Sequence, residues 1–357
     1  MTGGDAAPTP RRRRGGRAWA LALLLVVLTV AGGLSAVRFV LSPPSATPTV
    51  VEFEVLPGWG GARVAAALAE AGLVRSALAF ELLLRFTHLD RKLGEGLYDL
   101  SPAMTSREVA AALAAGGRPR TVRVVVPEGW RAAAVVARLA ANGLGATPEL
   151  EALVRSPGSL APPGLPAGDS LEGYLFPATY DLPVHSTASQ ALGAMVARFE
   201  EEVTPAVAVA LVDSGLGVHD WVTLASMVQA EAASEAEMPV IAGVFLNRLD
   251  LGMPLQSDPT VAYGLGKALP ELSAPAGDLR RDTPWNTYTR SGLPAGPIGN
   301  PGAEALLAVL APQRENPEGV PYLYFLHGSD GGTPVFRPNT DLPAHNRDVE
   351  RFLRGGR

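Results

Sequence analysis

The rhythm of apolar and polar residues changes several times along this chain, and each change predicts a different kind of element. Arg11, Arg12, Arg13, Arg14 and Arg17 precede a run without charge from Ala18 to Val37, closed by Arg38. Such a run predicts a helix long enough for roughly 30 Å of hydrocarbon, and it exceeds the ~7–15-residue apolar core of a cleaved leader. It therefore reads as a retained anchor over 18–41, preceded by a basic tail over 1–17. The arginines would stay cytoplasmic and everything beyond would lie on the outer side, as the positive-inside rule requires. A leader cut near Leu34-Ser-Ala36 is the competing reading. The prolines of Ser42-Pro-Pro-Ser-Ala-Thr-Pro48 predict a short, stiff, exposed spacer over 42–49.

Beyond the spacer one pattern is used twice. Val51-Glu-Phe-Glu-Val alternates as a strand does, Pro57-Gly58-Trp59 turns, and Gly61–Gly72 has helical spacing with a glycine stop. The same order returns at Thr121-Val-Arg-Val-Val-Val, Gly129-Trp130 and Arg131–Gly143. A further helix follows each, at Ser76–Arg85 and Thr147–Arg155, and Gly94–Leu100 with Thr105–Leu113 supplies a second strand and helix to the first unit. Two small α+β modules are expected, over 50–118 and 119–168, with Trp59 and Trp130 anchoring their cores. The prolines between Pro157 and Gly168 mark a boundary.

From 169 to 357 the chain predicts a mixed α+β domain. Helices are expected at Ala188–Val203, Thr204–Ser214, around Leu224–Glu231, at Glu235–Leu251 and at Ala303–Leu310, and a hairpin turns through Asp330-Gly-Gly332. Between them lie polar loops rich in Gln, Asp, Asn, Thr and Tyr, which can supply the hydrogen bonds a polyhydroxylated ligand demands.

The formal charge of −5 argues against nucleic acid as a partner, since a binder needs a basic face. Cysteine is absent, which removes thiol nucleophiles. His88, His185, His219, His327 and His345 are scattered without metal-ligand spacing, and no phosphate loop, dinucleotide fingerprint or Gly-x-Ser-x-Gly elbow occurs, so neither metal nor cofactor is expected. What remains is Glu231, set among small and apolar neighbours. Desolvation would hold its carboxyl protonated near neutral pH, as a general acid requires. Glu235 and Glu237 read as solvated charges at a helix start.

The chain resembles the YceG-like family of membrane-anchored endolytic murein transglycosylases. The resemblance rests on Glu172-Gly-Tyr-Leu-Phe-Pro, Leu224-Ala-Ser-Met-Val-Gln-Ala-Glu231, Phe245-Leu-Asn-Arg248, Leu255-Gln-Ser-Asp-Pro-Thr260, Asn286-Thr-Tyr288, Gly292-Leu-Pro, Pro297-Ile and His345-Asn346. It implies a transmembrane anchor, a LysM-like first module and a catalytic domain that cuts the β-1,4 bond between N-acetylmuramic acid and N-acetylglucosamine to leave a 1,6-anhydro end. Many members carry two glutamates one residue apart where this chain has Gln229 and Glu231, so the catalytic role falls on Glu231. Gln256, Asp258, Asn286, Tyr288 and Asn346 are candidates for holding sugar, with Glu172 and Ser226 behind them. Peptidoglycan strands are the implied partner, and cell-wall synthases such as penicillin-binding proteins are implied by the resemblance alone. Two rivals stay open. One is a catalytically silent glycan-binding scaffold, and the other is a muramidase that uses water with Asp258 or Glu172 beside Glu231.

Overall fold

The computed structural model describes residues 15–354, so the basic cluster Arg11–Arg14 lies outside the described residues. The chain is a mixed α+β protein divided into two compact units, one ending at Arg120 and the other starting at Thr121.

The first unit opens with helix α1 (Gly15–Val40). Its stretch Leu21–Val40, with a mean hydropathy of 2.2 and no burial within the protein, is long and apolar enough to cross a bilayer. Strand β1 (Val51–Val55) pairs antiparallel with β2 (Gly96–Leu100), setting Val51 opposite Leu100 and Val55 opposite Gly96. Helices α2 (Gly61–Glu70) and α3 (Ala77–Phe86), which connect the two strands, and α4 (Ser106–Ala115) close over that two-stranded sheet. Alternation does the rest, since Phe53 and Val55 point inward with Tyr98 and Leu100 onto Val64, Leu68, Phe80, Leu84, Val109 and Leu113. Ser76 caps α3, and Thr105 with Glu108 forms a reciprocal capping box on α4. Trp59 packs at the edge of this core under the Arg63 guanidinium, 5.1 Å from its ring centre.

The expected exposed spacer is packed through Ser45. The Ser45 N–H donates to Pro102 O at 3.0 Å, the Ser106 N–H to Leu41 O at 3.1 Å, and the Arg75 guanidinium to Pro43 O at 2.7 Å. Prolines stiffen the segment, and these bonds seat it on the unit.

The second unit begins with β3 (Thr121–Val125), α5 (Ala132–Ala141) and α6 (Thr147–Arg155). Its strand finds its partner well beyond the expected module boundary, in β4 (Thr179–Pro183), with Val122 opposite Leu182 and Val124 opposite Tyr180. Residues 121–168 are therefore no separate module, because they share a sheet and a core with residues 171–196. Val124, Val135, Leu139 and Leu150 pack with Leu171, Leu175, Leu182 and with Leu192 and Met195 of α7 (Ala188–Glu202). After α8 (Pro205–Ser214) comes α9 (Val218–Glu231), whose residues Trp221 to Val228 are all buried. A helix buried on every side over two turns is a central helix. Around it lie α10 (Met238–Asp250), the short α11 (Asp258–Gly264) and α12 (Ala303–Leu310), and the Trp221 indole N–H is satisfied by Leu306 O at 2.8 Å. The hairpin β5 (Tyr324–Asp330) and β6 (Thr333–Asn339) leads to α13 (Leu342–Val349).

Candidate active site

Glu231 is the last residue of α9, which breaks at Ala232 where the backbone becomes extended. The half-buried carboxyl therefore sits beside the free carbonyls of a helix C-terminus, a place that disfavours a negative charge. Burial is the main cause that pushes its pKa above the ordinary carboxylate value, and the charge of Asp258 pushes the same way. A hydrogen bond from Ser257 Oγ at 2.6 Å, with His327 and Arg248 nearby, offsets part of that rise.

Ser257 is placed by a small buried network. Its N–H donates to Thr287 Oγ1 at 2.9 Å, its carbonyl accepts from Thr260 Oγ1 at 2.6 Å, and the two threonine hydroxyls meet at 2.9 Å. Just before it, Gln256 adopts a left-handed backbone (φ +52°) and donates its N–H to Thr287 O at 3.1 Å. A non-glycine residue held there costs on the order of 1 kcal/mol or more and signals a site whose geometry is imposed by its surroundings.

The carboxyl of Glu231 opens on a cavity of about 620 Å³. Gln256, Asp258, Tyr288 and Asn346, all expected at the site, line the same space. Tyr288 Oη donates to Asp258 Oδ1 at 2.6 Å, joining two of them. Arg248, Tyr324, His327 and His345 line it too, and apolar side chains, among them Phe245, Leu255, Phe325 and Leu342, form the rest of the wall. The buried Arg248 donates to Leu323 O at 2.7 Å and Leu255 O at 2.8 Å, and it lies 5.2 Å from the Tyr324 ring centre, so one cation ties β5's approach to the Gln256 loop. The Tyr324 ring stacks on His345 at 5.3 Å. His327 meets Glu237 at 2.9 Å, and the same Glu237 oxygen accepts the Ala233 N–H at 2.9 Å. Glu237 is therefore no free surface charge. Sequence had no signal for this pair, whose members stand ninety residues apart. Ser257 and Arg248 stood within the motifs already singled out, without a mark of their own.

Three of the expected residues stand away from the cavity. Ser226 is buried, donating to Thr223 O at 2.7 Å and accepting from the Ile298 N–H at 3.1 Å. Asn286, also buried, donates to Leu279 O and Arg281 O and accepts from the N–H groups of Tyr288 and Thr289. With its amide fully engaged, it braces the loop that carries Tyr288. Glu172 accepts from the Ala132 N–H at 2.8 Å and from Tyr263 Oη at 3.1 Å, so it caps α5, whose Arg131 provides no side-chain cap. Burial lifts Glu172 to about 7 against the pull of those bonds and of Arg131. Gly173, at φ +91°, turns the chain there where a Cβ would strike Pro297 at 2.6 Å.

Gln229 has a structural task as well. Residues two apart on an α-helix point to nearly opposite sides, and its Oε1 accepts the Gly302 N–H at 2.9 Å, capping α12. Gln229 thus faces away from the cavity that Glu231 lines.

A sequence model of the YceG-like family matches residues 53–351, most of the chain and all of this site. The chain belongs to the YceG-like family. Among its relatives, the endolytic murein transglycosylase of Bacillus subtilis is 37% identical over 183 residues, 51% of this chain and 48% of that protein. The endolytic murein transglycosylase of Streptococcus pneumoniae is 28% identical over 364 residues, covering 93% of this chain and 64% of that one. The YceG-like chain here thus spans about half to just under two thirds of these relatives. A crystal structure of a yceG-like protein from Listeria monocytogenes matches 84% of this chain and 99% of its own, with a TM-score of 0.54 and 27% identity.

Proposed function

We infer that this YceG-like protein is a membrane-anchored endolytic lytic transglycosylase of peptidoglycan. The observation that carries the reading is Glu231, a carboxyl raised by burial, held by Ser257 and facing a polar, aromatic-walled cavity. Relatives named endolytic murein transglycosylases supply the substrate class.

In this reading protonated Glu231 donates to the glycosidic oxygen between N-acetylmuramic acid and N-acetylglucosamine as the bond opens with oxocarbenium character. The carboxylate so formed takes the proton of the muramic acid C6 hydroxyl, whose oxygen attacks C1 and closes the 1,6-anhydro ring. Proton and bond counts balance without water. Because the nucleophile belongs to the same sugar, proximity removes much of the entropic cost. Gln256, Asp258, Tyr288 and Asn346 hold amides and hydroxyls of the strand. The first unit, a two-stranded sheet covered by helices, serves as the LysM-like module, and α1 holds the chain in the cytoplasmic membrane with the site outside. The tether raises the encounter rate with newly made strands.

Asp258, on the same cavity wall, favours one rival, a muramidase in which it activates water or attacks C1. Mass spectrometry of uncrosslinked glycan strands treated with the full chain and with Glu231→Gln decides between them. Internal cuts ending in 1,6-anhydromuramic acid, lost in the variant, are expected. Reducing ends would mean hydrolysis, and intact strands with both proteins would leave a binding scaffold.

A further inference from the structure

The first unit exposes an apolar stripe that its core does not use. On α3, Leu78, Leu82 and Phe86 recur every four residues and are 68%, 43% and 81% exposed, while Phe80, Leu83 and Leu84 fill the core. The stripe borders an apolar crevice of about 440 Å³ whose other wall is the end of α1, with Ala36, Val37 and Val40, and the residue after it, Leu41. α1 and α3 are fixed to each other here, since Arg75 donates to Pro43 O at 2.7 Å, lies 4.6 Å from the Phe39 ring centre, and directly precedes the Ser76 cap of α3.

That geometry sets a depth. Ala36 lies four residues before Val40, the end of the membrane-spanning stretch, so at the helical rise the stripe meets α1 about 6 Å below that end, in the turn that also carries Arg38. Helices that lie in a bilayer interface bury their apolar face to about that depth, roughly 5–10 Å. Arg75 and Arg85 flank the stripe, and the one acid on α3, Glu81, is paired with Arg85. We propose that Leu78, Leu82 and Phe86 sit in the headgroup–acyl boundary of the bilayer that α1 crosses, so that the first unit is seated on the lipid surface rather than held off it by a spacer. The proposal rests on α1 being the anchor. Its partner is lipid because the stripe continues the lipid-facing surface of α1, and because the Arg75 cation at its α1 end suits lipid phosphates.

The natural absence of cysteine makes the test direct. Full-length chain bearing Leu82→Cys, and in a second preparation Leu78→Cys, is labelled with an environment-sensitive fluorophore and reconstituted into vesicles of phosphatidylethanolamine and phosphatidylglycerol. Arg107→Cys on α4, exposed and outside the crevice, is the reference. Lipids brominated on the acyl chain should quench positions 78 and 82 several-fold more than 107, and aqueous iodide should do the reverse. Equal iodide access at all three positions, in protein that floats with the vesicles, overturns the seat while leaving the anchor. Energy transfer between labelled copies that grows with protein density, without bromolipid quenching, gives the stripe to a second copy and overturns it too. Protein that fails to float with the vesicles removes anchor and seat together.

Discussion

Glu172 and Glu231 belong to the same unit, and burial raises both carboxyls, yet their surroundings suit different work. Glu172 is almost closed off and spends its oxygens on the α5 N-terminus, Tyr263 and the Asn300 amide. Glu231 has one protein donor, Ser257, and a cavity in front of it. A raised pKa alone therefore does not mark a catalytic acid. What separates the two is whether an oxygen is left for a substrate, and each can be tested by asking which property its loss takes away.

Glu231→Gln carries the largest expected effect, a fall of about 10²–10⁴-fold in strand cleavage, the usual range for removal of a general acid. Stability should hold or rise slightly, because the variant removes a carboxyl that burial disfavours in its charged form. Thermal unfolding beside product release checks both halves. A variant that loses fold and activity together would place Glu231 with Glu172, as a structural group. In the wild type, cleavage should fall as pH rises through the raised pKa of Glu231, since the acid must start protonated.

Glu172→Ala should invert that outcome. The Ala132 N–H and Tyr263 Oη lose their acceptor, which costs about 2–4 kcal/mol in urea unfolding while the folded fraction still cuts strands. Its titration adds a second signature. The native carboxyl keeps its proton to about 7 whereas the ordinary value is 4.5. Between those values the native state binds more protons than the unfolded chain, so stability declines as pH rises and levels off above 7. The loss is on the order of 3 kcal/mol, and Glu231 adds a slope of the same sign. Glu172→Gln should flatten the decline, and an unchanged slope would mean that Glu172 is ionised in the folded protein.

Ser257→Ala is a finer probe of the Glu231 side. Removing the donor that favours the charged form should move the high-pH limb of activity upward and lower the maximum by about tenfold, as expected for one lost charge-assisted bond. A lower maximum with an unmoved limb would show that Ser257 only fills space.

Sequence made the local devices legible and hid the distant ones. The apolar run of α1, the alternation of Val51–Val55 and the recurrence of strand and helices are short-range patterns, and the structure carries them at nearly the expected limits. Pairing of β3 with β4 brings together strands more than fifty residues apart, with Arg123 on Asp181, and periodicity says nothing about such partners. Asn286 was readable as a polar loop residue, but only the folded loop reveals that its amide is consumed by four backbone groups. Glu237 looked like any charge at a helix start until β5 delivered His327 to it.

Gln229→Glu is the smallest expected change and the sharpest check of the one-acid reading. A glutamate at 229 would meet the Gly302 N–H at the start of α12, which favours a carboxylate, but also the Glu128 carboxylate packed against Gly302, so the two effects oppose and stability should stay level or fall by about 1 kcal/mol. Activity should change by no more than about threefold, because a side chain two residues from Glu231 on the same helix points across the axis from the cavity. A tenfold gain would mean that the second carboxyl reaches the reacting sugar after all, by a turn of α9 or of its rotamer. In that event the site would work with a pair of acids, and the contrast between one open and one enclosed carboxyl would have to be redrawn around residue 229.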